Sequence, residues 1–170
     1  EIMAGLVGSE MCIRDRELAG ALKNIYAIIS GYCHSLDVGE NAIGLILTRS
    51  MAEMSNFAVN KGANPITFLG LAGMGDLVAT CFSKLSRNYQ FGWAIGEGLD
   101  IEAAKYKVGQ VAEGLNTIRI IHNEISSSKI KMPLVSGMHE ILFNNGSKEL
   151  LLDQIINSEI YVDVNFDVES

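Results

Sequence analysis

Apolar residues recur every three or four positions along most of this 170-residue chain, a helical rather than an alternating period. A helix with one apolar stripe must bury it against other elements, and here those elements are helices too. From Glu17 to Leu36 the stripe is Leu18, Leu22, Ile25, Ile28, Ile29 and Tyr32. A second helix is predicted over Asn41–Asn60, with Ile43, Ile46, Leu47, Met51, Met54 and Phe57 inward. Arg49 and Glu53 lie one turn apart on it and are expected to pair. Lys61-Gly62 supplies a last-turn cation and a flexible stop.

Turn chemistry punctuates the rest. Asn64-Pro65 reads as an N-cap followed by proline at the first helical position. Gly70, Gly73 and Gly75 mark a tight turn, after which Asp76 is expected to cap Leu77–Phe82. Ser86-Arg87-Asn88 opens a helix through Ile95, closed by Gly96 and Gly98. Asp100 caps a short helix to about Lys107, another covers Gly114 to Ser128, Pro133 begins a third, and Ser147 caps the last through Ile156. The expectation is an all-α domain of seven or eight helical segments, with one long central helix wrapped by the others. Residues 1–16 read as a foreign junction, 17–157 as the domain and 158–170 as an acidic tail. No βαβ unit is visible. The glycine cluster is G-x-x-G-x-G without a preceding strand, so it is not a dinucleotide fingerprint.

Composition excludes several classes of function. A formal net charge of −7 argues against a nucleic-acid partner, which needs a basic face. No apolar run approaches the roughly 20 residues of a membrane span, and the start of the chain has no basic region typical of a signal peptide. Cys12, Cys33 and Cys81 have no metal or disulfide spacing and read as reduced thiols of a cytoplasmic protein. His34, His122 and His139 show no metal-ligand spacing, so no metal is expected. With 48% hydrophobic residues the chain can build a core without such staples.

Two clusters could carry chemistry. Lys23 has Ala19, Gly20 and Ala27 as its neighbours one turn away. Small residues there leave a hollow, and a desolvated lysine becomes a better proton acceptor. The plain alternative is a surface lysine snorkelling from an amphipathic helix. Asp76, Thr80, Ser86, Arg87 and Asn88 form the second cluster. Backbone N–H groups at a helix start favour an anion, and the Arg87 fork suits phosphate. The alternative is a serine cap beside a solvated arginine. Glu113, in the loop Gln110–Gly114, either favours the dipole of the next helix or reaches a ligand.

The motifs, in order, resemble those of the NAD(P)-dependent glycerol-3-phosphate dehydrogenases. Glu17-Leu-Ala-Gly-Ala-Leu-Lys-Asn24 is similar to that family's E-L-x-G-A-L-K-N helix. Asn41-Ala42, Thr48-Arg49 and Glu53-Met54 look like its next helix. Gly70 to Cys81 resembles G-L-x-G-x-G-D-L-x-x-T-C, and Ser86-Arg87-Asn88 with Phe91-Gly92 resembles S-R-N-x-x-F-G. Gly109 to Gly114 resembles G-Q-V-x-E-G, and Met132-Pro133 the late M-P motif. The resemblance spans about Glu17 to Ile156.

It implies the helical substrate domain of the fold shared with 6-phosphogluconate dehydrogenase-like enzymes, without the Rossmann domain that carries most of the cofactor site. It implies a phosphorylated small-molecule substrate and NAD or NADP as cofactor. Lys23 then corresponds to the catalytic proton acceptor, and Asp76 and Thr80 to residues beside the substrate's glycerol and the lysine. Ser86, Arg87 and Asn88 correspond to the phosphate site, and Arg87, Val111 and Glu113 to positions touching the cofactor. Two other readings remain open at this point. One is a non-catalytic helical module whose uncovered apolar faces self-associate, for instance as a homodimer. The other is a related two-domain dehydrogenase acting on a phosphate-free hydroxy acid.

Overall fold

The computed structural model describes the backbone of residues 2–63, 71–109 and 112–157, and the side chains of 15–63, 73–109 and 112–157. The expected helix start at Asn64-Pro65, Gly70, the pair Gln110-Val111 and the tail from 158 onward lie outside the described residues. Among the described residues there are eight α-helices, one π-helical turn and no strand.

The first helix, α1 (Ile2–Ser35), organises the others. It runs unbroken through the boundary expected at Glu17. The segment 2–16 contains no proline, and Gly5 and Gly8 stand among helix formers such as Met3, Ala4, Leu6, Glu10 and Met11, so nothing in it halts a helix. Leu22, Ile25, Ile28 and Ile29 are fully buried, as the stripe requires. Burial goes further than one stripe, however: every residue from Ile25 to Cys33 is buried. None of these residues is charged, and other helices cover α1 on all sides. Ser30, buried among them, donates its hydroxyl proton to the Cys81 carbonyl at 2.8 Å. The helix ends where Asp37 takes a left-handed φ of 54° and Gly39 one of 82°.

The second helix, α2 (Glu40–Asn60), packs beside α1 with Ile43, Ile46, Met54 and Phe57 inward and stops at Lys61 and Gly62, whose φ is 80°. A π-helical turn over Leu71–Gly75 then feeds α3 (Asp76–Phe82). The fourth helix, α4 (Arg87–Gly96), makes the most extensive contact with α1. The remaining helices are α5 (Ile101–Val108), α6 (Glu113–Ser126), α7 (Pro133–Phe143) and α8 (Lys148–Asn157). Asp100 caps α5 through the Ala103 N–H at 2.8 Å, and Gly109 closes it at φ 76°.

Contact between α1 and α4 is backbone against backbone. A Cβ on Gly31 would sit 2.0 Å from the Tyr89 carbonyl oxygen, and one on Gly92 only 1.9 Å from that of Ile28. The two glycines let the helices meet at a distance no other residue permits.

Glu53 does not make the surface pair expected with Arg49. It is buried and bridges three helices. The Tyr26 hydroxyl of α1 donates to its Oε2 at 3.1 Å, and the Leu134 N–H at the start of α7 donates to Oε1 at 2.6 Å. Arg49 instead donates to the Ile156 carbonyl of α8 at 3.1 Å. Its charge still lowers the Glu53 carboxyl, but burial dominates and pushes that group up from 4.5 to about 8. The donors Glu53 meets are far away in sequence, at 26 and 134, so helical spacing alone pointed to the wrong partner.

Two outcomes follow from this core. Gly92→Ala forces a methyl into the Ile28 carbonyl and lowers the unfolding free energy by about 2–4 kcal/mol, read from urea denaturation; an unchanged midpoint would disprove the close contact. Because the Glu53 carboxyl is raised on folding, its contribution is complete below about pH 4.5 and is lost as pH rises through 8. The urea midpoint therefore falls as pH is raised from about 5 to about 9, and Glu53→Gln flattens that dependence.

Candidate active site

Lys23 projects from α1 toward the start of α3, where its Nζ pairs with the Asp76 carboxylate. The lysine side chain is 23% exposed and the aspartate 42%, so the pair lies at the mouth of a depression rather than in the core. Asp76 was expected to cap α3 but is its first helical residue, and Gly75 before it is already in right-handed helical geometry. The π-helical turn carries helical backbone straight into α3, leaving the Asp76 carboxylate for Lys23. π-Helical turns of this kind often occur at functional sites. Thr80, one turn along α3, donates to the Asp76 carbonyl at 2.6 Å and so lies on the same face. Residue spacing placed Lys23 and Asp76 in separate clusters, the family resemblance set Asp76 beside the lysine, and the fold brings the two together.

Beside this pair is a cavity of about 410 Å³ lined by Asn24, Ser86, Arg87, Asn88, Ala112 and Glu113. Ser86 caps α4 as its sequence position suggests, its Oγ accepting from the Tyr89 N–H at 3.4 Å. The first N–H groups of α4 have no partners within the helix, and together with Arg87 they form an anion-favouring lip. The Asn88 Oδ1 accepts from the Gly114 N–H of α6 at 3.0 Å, which leaves its amide protons to face a ligand. Gly114 is needed there: a Cβ would come within 2.6 Å of the Asn24 carbonyl oxygen.

Asn24 and Gly114 were not singled out as site residues from the sequence. Their signals were present, one residue after Lys23 and one after Glu113, but only the α1–α4–α6 junction gives them a task. Asn24 also links the two halves of the site, because it follows Lys23 directly and lines the cavity. Val111 lies outside the described residues. Cys33 and Cys81 are free and buried, and burial pushes both thiols up to about 12, so neither serves as a nucleophile.

Comparison with known proteins now places the chain. Residues 14–153 match the family described as NAD-dependent glycerol-3-phosphate dehydrogenase C-terminus. The chain belongs to this family. Over 150 residues it is 50% identical to a glycerol-3-phosphate dehydrogenase of the NAD(P)+ type from Pseudomonas savastanoi pv. phaseolicola, covering 88% of this chain and 44% of that relative. The crystal structure of glycerol-3-phosphate dehydrogenase from Coxiella burnetii is similar, with a TM-score of 0.80 and 37% identity over 85% of this chain and 44% of that one. The yeast enzyme structure follows at a TM-score of 0.71 and 29% identity, covering 82% and 41%. The chain thus spans less than half the length of these relatives. The match to the family starts at residue 14, three positions before the Glu17 boundary.

A half-exposed ion pair contributes little to folding. Asp76→Asn is therefore expected to change the unfolding free energy by less than about 1 kcal/mol, measured by urea denaturation. A larger loss would make Asp76 a structural residue rather than a site residue.

Proposed function

We propose that this chain is the substrate-binding and catalytic half of an NAD(P)-dependent glycerol-3-phosphate dehydrogenase, interconverting sn-glycerol 3-phosphate and dihydroxyacetone phosphate. The observation that carries the reading is the placement of the Lys23–Asp76 pair immediately beside the Ser86–Asn88 cavity, through the adjacent residue Asn24.

Phosphate recognition falls to the first turn of α4, the Arg87 guanidinium and the Asn88 amide. With the phosphate held, the reacting carbon is carried toward Lys23. In oxidation Lys23 Nζ accepts the hydroxyl proton as the C–H bond gives up its hydride. In reduction the Lys23 ammonium returns a proton to the carbonyl oxygen. Asp76 holds Nζ at the reacting oxygen, and Thr80 keeps α3 in register beneath it.

The nicotinamide cofactor, NAD or NADP, supplies the hydride chemistry. Arg87 and Glu113, both polar and both on the cavity lining, suit contact with its edge. Most of the cofactor's binding surface belongs to the dinucleotide-binding half that the longer relatives carry. Two free, buried thiols support a reducing, cytoplasmic setting. No helix among the described residues is long and apolar enough to cross a membrane.

The test is an assay of dihydroxyacetone phosphate reduction with this chain in the full-length context of its relatives. Lys23→Ala is expected to lower kcat by at least about 100-fold. Arg87→Ala is expected to raise KM for the phosphorylated substrate and to weaken competition by inorganic phosphate. Normal turnover by Lys23→Ala would overturn the proposed role of the lysine. A phosphate-independent KM would redirect the reading to a phosphate-free hydroxy acid.

A further inference from the structure

Away from the active-site cavity, α6 and α7 bring together three metal-ligating side chains. His122 of α6 and His139 of α7 stack face to face, with ring centroids 3.6 Å apart and planes inclined by only 7°. Glu140 follows His139, and one ligand atom from each of the three residues lies within 4.8 Å of the others. The spacing of 17 residues between the histidines matches no compact metal motif, so helix packing alone assembles the group.

We propose that His122, His139 and Glu140 form a binding site for a divalent first-row transition ion of the zinc class, clipping α6 to α7. A parallel, face-on stack is the least favoured arrangement of two aromatic rings, because their quadrupoles oppose each other. The lone pairs of parallel rings do not converge, so binding turns one ring about its χ2 until both nitrogens face one ion, within the 4.8 Å that already encloses the three ligand atoms. His139 Nδ1 is buried and makes no hydrogen bond among the described residues; its nearest charged group, Glu140 Oε1, stands 3.7 Å away. An ion between them gives that nitrogen the partner it lacks.

The surroundings fit such a site. Both oxygens of Glu140 accept from the Asn144 amide, at 3.0 and 3.1 Å, which orients the carboxylate as the supporting residues of metal sites do. The Phe143 ring packs on His139 with centroids 4.9 Å apart. Arg119 lies over the other partner of that contact, 4.7 Å from the Phe143 centroid, and its charge opposes a cation. The Glu140 carboxylate offsets it. Two imidazoles and one carboxylate select zinc, nickel, cobalt or copper rather than magnesium or calcium, which take oxygen ligands. Three protein ligands leave a position for water.

The experiment uses the 170-residue chain without a histidine tag. Co²⁺ is titrated and followed by its visible d–d bands, and Zn²⁺ by calorimetry. One ion per chain is expected, with the bands of a four-coordinate ion, displacement of Co²⁺ by Zn²⁺ but not by Mg²⁺, and a higher Tm with Zn²⁺ bound. His122→Ala and Glu140→Gln are expected to weaken binding by at least about tenfold, the scale on which metal-site residues act. His34→Ala, whose ring packs on Phe82 and Tyr89 away from the cluster, should bind as the unaltered chain does. His122 and Glu140 are partly exposed, so these variants remain folded enough to titrate. Absence of saturable Co²⁺ binding, or equal affinity in His122→Ala and the unaltered chain, would overturn the site.

Discussion

The contact between the backbones of α1 and α4 at Gly31 and Gly92 governs this molecule. Two helices with ordinary side chains at a crossing keep their axes 8–10 Å apart. Here the Tyr89 and Ile28 carbonyls occupy the space where Cβ atoms would stand. Such closeness lets α1 be enclosed rather than merely covered, and it explains why nine consecutive residues, Ile25 to Cys33, are buried together. Enclosure removes large apolar area from water but also strands polar groups, so Ser30 finds the Cys81 carbonyl and Tyr26 finds Glu53. Lys23 and Asn24 sit two turns before Gly31, about 12 Å along the same rigid rod. Their position relative to Ser86–Asn88, two turns or less before the crossing on α4, is therefore set by the packing and not by loops.

Electrostatics narrows how an acidic chain can hold an anion. The net charge of −7 repels phosphate at long range, so attraction has to be local. Lys23 is already paired with Asp76, which cancels most of its pull on a distant anion. On the proposed reading, the α4 N-terminus and Arg87 take the phosphate and the lysine serves the reacting oxygen. Placing capture and proton transfer on different groups lets each be aimed separately. Both are nevertheless tied to α1, one through Lys23 and the other through the Asn24–Gly114–Asn88 junction.

Local chemistry made much of this legible in the sequence. The apolar stripes of α1 and α2, the Ser86 and Asp100 caps, the Gly62 stop and the Pro133 start all act within one or two helical turns, and each was read correctly. The motifs around Lys23, Asp76, Ser86 and Glu113 pointed to a family and a residue set. Residue spacing by itself misses partners that lie far along the chain. Glu53 looked like half of an i,i+4 pair because its true partners are at 26 and 134. By spacing Asp76 looked like a cap because Lys23 is 53 residues away, and only the family resemblance set it beside the lysine. Gly31 and Gly92 carried no signal of contact, since a glycine in a helix is equally a tolerated weak point. α1 also runs back through residues 2–16, since a sequence unlike the family's can still form a helix.

α6 deserves a place in this scheme as the link between the site and the rest of the domain. Its first turn holds Glu113 and Gly114, which line or buttress the cavity. Two turns later it presents His122 to His139 on α7, and α7 in turn begins at the N–H that Glu53 accepts. A shift of α6 along its axis would disturb the Asn88–Gly114 hydrogen bond and the histidine stack together, because a helix transmits axial displacement with little loss. Side-chain packing of Leu115, Ile118, Ile121 and Ile125 resists that shift only softly, since apolar contacts are non-directional. Directional contacts at the two ends are what fix the register of α6, and one of those ends forms a wall of the cavity beside Ser86–Asn88.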